Sequence, residues 1–419
     1  MVEHPRDDPY RNGSFTIQTA FPCFVLGGVF GLTFTAKLRE ALFTVPVLAA
    51  VGGLVGCLVD PLFSAVARRI TRKNEKEEQK LLHILTQSKS STTNNSYVVP
   101  QLNLSGDHVD ISLTLSYVQQ VLRPAVYELQ RAFISNSDRG TVFVGIVGGS
   151  GSGKTTLSQL LVRSLDGMGI PSVTISMDNY HYTNQYLDST FHSSRTDEQG
   201  IPIKLREVKG RSETIDSKSM LDDLKKIAAM NTLDSSKEAE LLLPVYDRAL
   251  HNPVPNRLAV SNATRVVIVE GLHLLREEEC WNDIRSMFMT LYYLRFDDHE
   301  VQKERVMQRR MRGGISREWA SPRYDQVDAV VGAEIEQESQ RVMYSKNETS
   351  RMVVMSMCLD KHGMVQLERK AVYEGWPGYE VRAYKEQTVV ECLGAIVGFC
   401  ALTVALTKAW DFVENRKAS

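Results

Sequence analysis

Between two apolar stretches lies the segment VFVGIVGGSGSGKTTLSQLLVRSL, in which Gly148, Gly153, Lys154 and Thr155 satisfy G-x-x-x-x-G-K-[ST]. The chemistry implied is capture of a triphosphate. Glycines at Gly148, Gly149, Gly151 and Gly153 permit backbone conformations that a side chain would block. With Ser150 and Ser152 they let the loop amides turn inward toward phosphate oxygens, joined by the positive end of the helix that begins near Lys154, Thr155 and Thr156. Lys154 would reach the β- and γ-phosphates, and the Thr155 hydroxyl would ligate Mg²⁺. ATP and Mg²⁺ are the expected cofactors.

A phosphate loop alone does not say where the phosphate goes. Three other segments carry residues able to direct it. In SMDNYHYTN, Asp178 could accept a proton from a hydroxyl attacking the γ-phosphate. LLLPVYDRALHNP brings Tyr246, Asp247, Arg248 and His251, of which Tyr246 could simply pack while Asp247 caps a turn. In RVVIVEGLHLL, Glu270 sits on an apolar run, where a carboxylate is costly unless it is paired or holds a metal. Farther on, Arg305, Arg309 and Arg312 fall at helical spacing on one face. Such arginines neutralise a phosphoryl group in transfer or simply form a solvated face, with Gly313 and Gly314 as a hinge.

These residues need a scaffold that brings them to one edge. Apolar, β-branched runs at 141–147, 172–177, 265–269 and 291–296 alternate with helical segments, which predicts a mostly parallel sheet flanked by helices. Ligands of such sheets bind beyond the carboxyl ends of the strands. The strand before Asp178 is expected beside the strand that precedes the phosphate loop.

Taken together, Met177-Asp178-Asn179-Tyr180-His181, Glu213-Thr214-Ile215-Asp216, Pro244-Val245-Tyr246-Asp247-Arg248 and Val269-Glu270-Gly271 resemble the uridine kinase, pantothenate kinase and phosphoribulokinase superfamily. The similarity runs from about Val142 to Ala333 and is greatest to its bacterial and fungal sugar-kinase-like branch. The resemblance implies an α/β P-loop fold of the nucleoside and metabolite kinase type, with Asp178 as general base and Glu270 at the magnesium site. Arg309 and Arg310, with Arg312 behind them, become the lid residues, and Tyr246, Arg248 and His251 the acceptor contacts. Pro253 stands where uridine kinases carry an arginine and Arg248 where they carry an aromatic, so sugars, nucleosides such as uridine, and pantothenate-like alcohols all stay open as hydroxyl acceptors.

Composition sets the remaining limits. Lys+Arg 49 against Asp+Glu 50 gives a net charge of -1, which argues against a nucleic-acid partner. None of the six cysteines forms a C-x-x-C pair, so neither a zinc nor a dithiol redox site is expected. Runs at 14–36 and 41–59 carry no charged residue, and each is long enough, at about 20 residues, to span a bilayer as a helix. The competing reading is a signal peptide followed by a core helix. Arg68, Arg69, Arg72 and Lys73 follow, which orients a hairpin with the kinase domain facing the cytoplasm. A shorter apolar stretch near 389–405 is expected to be a further transmembrane helix.

The chain therefore reads as a tail and transmembrane hairpin (1–67), a basic juxtamembrane segment and polar linker (68–111), a P-loop kinase domain (112–385), and a C-terminal apolar segment and tail (386–419). The function expected is a membrane-anchored ATP- and Mg²⁺-dependent kinase for a small hydroxylated metabolite. The alternative is a nucleotide switch or scaffold acting on a membrane partner. Oligomerisation is left open.

Overall fold

The computed structural model describes residues 68–86, 96–104, 107–135, 140–230, 239–278, 280–343, 351–359, 365–373 and 380–382. Nearly all of them fall in one compact unit, Arg72–Tyr384. The sequence-expected spans at 14–36, 41–59 and 389–405 lie outside the described residues. Among the described residues, no helix is long and apolar enough to cross a membrane.

In chain order the unit runs from helix α1 (68–86) to a hairpin of β1 (Ser96–Leu104) and β2 (Asp107–Thr114). Helical turns then lead into α2 (Arg123–Ser135). Strand β3 (Val142–Gly148), α3 (Lys154–Asp166) and β4 (Ser172–Ser176) follow, then α4 (Asn184–Ser189), the small pair β5 (Phe191–Thr196) and β6 (Pro202–Lys204), and α5 (Ser217–Met230). A hairpin of β7 (Glu240–Asp247) and β8 (Asn252–Ser261) precedes β9 (Val266–Gly271), α6 (Trp281–Ser286) and β10 (Phe288–Phe296). Last come α7 (His299–Arg312), α8 (Arg317–Arg323), α9 (Ala329–Met343) and the strands β11 (Arg351–Leu359), β12 (Val365–Tyr373) and β13 (Glu380–Arg382).

One seven-stranded sheet carries the fold, in the order β13-β12-β11-β10-β3-β9-β4. The strands from β11 through β4 are parallel, and β12 and β13 complete the other edge antiparallel. Strands β3 and β9 are buried at every position, as their unbroken Val/Ile runs require in a sheet covered on both faces. Successive side chains go to opposite faces. Val144, Ile146 and Ile268 pack with Leu157, Leu160 and Leu161 of α3 on one face, while Val147, Val267 and Val269 pack with Leu221, Leu224 and Ile227 of α5 on the other.

Two sequence expectations change. Residues assigned to a juxtamembrane segment and linker over 68–111 belong largely to the domain. Leu81, Leu82 and Leu85 of α1, with Val99, Leu102 and Leu113 of the first hairpin, are buried in the same core as α3. Their short apolar spacing, diluted by charge, did not advertise burial. The second change concerns β4, which does not adjoin β3. The chain crosses to the sheet edge at β4 and returns to fill the gap with β9, so the Glu270 strand lies between them.

Candidate functional site

That strand order puts a carboxylate in the middle of the site. Glu270 is in register with Ile146 on β3 and with Ser176 on β4, each two residues short of a functional position, Gly148 or Asp178. Beyond β3 the chain turns into the phosphate loop. A side chain on Gly148 would place its Cβ 2.2 Å from the Leu294 carbonyl oxygen, so the close approach to β10 demands glycine. Gly153 caps α3 in the left-handed region at φ 87°, again a conformation that glycine adopts without strain. The Ser152 hydroxyl is fully buried and has no hydrogen-bond partner.

Lys154 donates from Nζ to the carbonyl oxygens of Gly148 at 2.8 Å and Gly149 at 3.0 Å. The Thr155 hydroxyl donates to Glu270 Oε1 at 3.4 Å. Burial pushes the Lys154 ammonium down and the Glu270 carboxyl up, and each opposes the other's shift through its charge. Helix α7 closes the loop from the side. Gln302 Nε2 donates to Ser150 O at 3.0 Å, and Arg305 Nε donates to Gly151 O at 3.0 Å. Gln302 was not anticipated, and Arg305, expected on the face with Arg309, serves the loop itself.

Asp178 is the second residue of the short 3₁₀ turn Met177–Tyr180 that follows β4, and its amide is held by the Ser176 hydroxyl at 3.3 Å. Its charge reaches Lys154, Glu270 and Arg309. The buried Asn179 accepts from the Tyr246 amide at 2.9 Å, which clamps the β7–β8 hairpin to the end of β4. Tyr246 then lies against His181, with ring centroids 5.1 Å apart. Burial and the Asp178 charge raise its phenol, against Arg206, Arg248 and Arg323.

The other predicted residues divide. Arg248 is exposed, and its charge reaches Glu270 and Arg309. His251 offers its carbonyl, which accepts from Lys209 at 2.6 Å, while its backbone sits at φ 48°. Asp247 caps its own turn, accepting from the amides of Ala249 and Leu250. On α7, Arg309 lies within electrostatic range of Lys154, Asp178 and Arg248. Arg310 instead donates to Asp328 and to Ala320 O, fastening the segment after Gly314 back onto α7.

Lys209, Arg206 and Arg323 were not foreseen. Lys209 donates to Asn184 Oδ1 at 2.8 Å and stands 5.1 Å from the centroid of the Tyr246 ring. Arg206 bonds the same Asn184 oxygen, and Arg323 reaches Lys209 O at 3.5 Å. No local pattern marks them in REVKGR or SPRYD; only folding brings them together.

The donor set suits a hard cation. Thr155 and Glu270 are adjacent oxygen donors beside a phosphate loop, and Mg²⁺ is commonly held by one or two such groups together with substrate phosphates. Among the described residues no group of three or more His, Cys, Asp or Glu could hold a metal without such help.

The sequence profile described as "Phosphoribulokinase / Uridine kinase family" matches residues 143–314. The chain is similar to the Schizosaccharomyces pombe protein named "Putative uridine kinase C227.14", 31% identical over 197 residues, which are 45% of this chain and 75% of that protein. It is also similar to the ATP-dependent kinase YFH7 of Zygosaccharomyces rouxii, 25% identical over 164 residues, or 34% of this chain and 41% of that one. The crystal structure of YFH7 from Saccharomyces cerevisiae aligns with a TM-score of 0.42 at 17% identity, covering 52% of this chain and 95% of its own.

Proposed function

The chain belongs to the phosphoribulokinase/uridine kinase family, and from that premise we propose how its site transfers phosphate from ATP to a small hydroxylated metabolite. The observation that carries the proposal is the meeting of Lys154, Glu270 and Asp178 at one sheet edge, with Arg309 within electrostatic range of Lys154 and Asp178. The phosphate loop and Lys154 hold the donor. Asp178 accepts the acceptor hydroxyl's proton as its oxygen bonds to the γ-phosphorus and the bond to the bridging oxygen of ADP breaks. Arg309 offsets charge on the transferring group, and Thr155 with Glu270 would hold Mg²⁺. Bound there, the ion would supply further charge neutralisation at the phosphate oxygens. Most of the acceleration in this scheme comes from positioning and preorganised charge rather than covalent catalysis.

Membrane attachment belongs to the same proposal and is supported by the charge-free runs at 14–36 and 41–59. A nucleotide switch would have no use for an acceptor-side carboxylate such as Asp178 or for the Pro244–Arg248 segment beside it, so the kinase reading is preferred. The test is ADP release by the full chain against pooled nucleosides, sugars and pantothenate-like alcohols, with Asp178→Asn alongside. Acceptor-dependent turnover that the variant loses while still binding ATP supports the reading. Turnover unchanged by the substitution sinks it. Flotation of the full chain with liposomes tests the anchor separately.

A further inference from the structure

The mouth of the site beyond Asp178 holds more positive charge than its own contacts use. Arg206 and Lys209 converge on one neutral acceptor, Asn184 Oδ1. The second bond of Lys209 goes to a backbone carbonyl, and so does the bond of Arg323. An ammonium has three donors, so Lys209 keeps one N–H uncommitted among these bonds. Holding loops together requires donors but not charges, and neutral side chains would serve with less repulsion among the three cations. The carboxylates whose charge reaches Lys209 are Asp178 and Asp188, and Asp178 is already assigned to the hydroxyl proton.

The same three cations all act on Tyr246. Lys209 lies over it, and Arg206 and Arg323 act on its phenol along with Asp178. Tyr246 is tied to the end of β4 through Asn179, and the charge of Asp178 reaches both its phenol and Lys209, so the base and the cations share one neighbourhood. A ligand with its hydroxyl at Asp178 would extend past Tyr246 into the positive field. Burial and the charge of Arg206 also make Lys209 reluctant to stay protonated, a cost that a bound anion would remove.

We infer that the acceptor carries, besides the hydroxyl it presents to Asp178, an anionic group, carboxylate or phosphate, that docks among Arg206, Lys209 and Arg323. This rests on the kinase reading of the site. It narrows the acceptor class to hydroxy acids and phosphorylated sugars, and excludes neutral nucleosides and free sugars as the preferred substrates.

The experiment pairs acceptors that differ mainly in the anion: glycerol with glycerate, and ribose with ribose 5-phosphate. ADP release by the full chain gives kcat/KM for each. The expected result is that the anionic member of at least one pair is preferred, the two pairs separating carboxylate from phosphate. Replacing Lys209 or the exposed Arg323 by Gln should then lower the ratio of anionic to neutral kcat/KM by about 10- to 100-fold, mostly through KM, as loss of a charge-assisted hydrogen bond predicts. Lys209→Arg keeps the charge and should restore most of the ratio, which a purely loop-holding role for Lys209 would not require. Equal use of both members, or a ratio untouched by Arg323→Gln and Lys209→Gln, overturns the anionic acceptor. Turnover with uridine or free ribose alone overturns it too and leaves the kinase standing. If no acceptor of either kind stimulates ADP release, the kinase reading has failed and this inference falls with it.

Discussion

The two halves of the site are built in opposite ways. The donor half comes from one continuous loop and the first turn of the helix behind it, Gly148 to Thr155, with Glu270 set against it by strand register. The proposed acceptor half is gathered from five places: the end of β4, the N-terminus of α4, the Arg206–Lys209 turn, the β7–β8 hairpin and the end of α8. One half depends on backbone conformation, which a few glycines dictate. The other depends on distances between side chains remote in sequence. The first therefore tolerates almost no change in residue type, while the second can change its charge pattern, and with it the acceptor, without disturbing ATP.

The sharpest break between the halves is Asp178→Asn, which should lower kcat by about 10²- to 10⁴-fold while ATP affinity stays near wild type. Retained turnover would show that the acceptor half does not activate the hydroxyl through Asp178. Next are the paired arginines of α7. Arg309→Ala should cost about 10²- to 10³-fold in kcat with little loss of stability, as removal of a preorganised charge does. Arg310→Ala should act on folding instead, since it leaves the buried Asp328 carboxylate without its partner, a cost of about 3–5 kcal/mol in urea unfolding. Equal kinetic losses for the two would merge roles that the structure keeps apart.

A smaller effect tests the clamp between β4 and the hairpin. Asn179→Ala should destabilise the domain by about 1–3 kcal/mol because the Tyr246 amide loses its acceptor. It should raise KM for the acceptor more than for ATP, and the reverse order would place the hairpin on the donor side. The mildest prediction is a pH effect at Lys209. Burial first, then Arg206 and Arg323, hold its pKa down at about 8, with Asp178 and Asp188 opposing. The ammonium is charged below that pH and neutral above it. For an anionic acceptor, kcat/KM should fall as pH rises through about 8. Lys209→Arg, which stays protonated, should move that fall to higher pH.

Much of the donor half was legible before folding. The glycine spacing, the Val/Ile run of β3 and the Leu-patterned helix behind it all specify the same local geometry, and all were found in place. Glu270 was legible for a different reason, since a carboxylate in an apolar strand has to be compensated. The neighbour of β4 was not legible, because strand order depends on which crossover packs and not on any one segment. The domain's start was misjudged as well, since α1 and the first hairpin are buried by contacts with α3 that their own sequence does not display.

The amino-acid sequence by itself determined that this protein captures a nucleoside triphosphate, because a phosphate loop is encoded by backbone freedom within a few consecutive residues. It also determined which carboxylates could act, Asp178 and Glu270, by placing them at strand ends. Only the tertiary structure decided that Arg305 bonds the loop and Arg310 bonds Asp328, while Arg309 lies within electrostatic range of Asp178. It alone assembled Arg206, Lys209 and Arg323 around Tyr246. The physical reason is that electrostatic interaction depends on separation in space, and residues more than a hundred positions apart acquire a separation only when the chain folds.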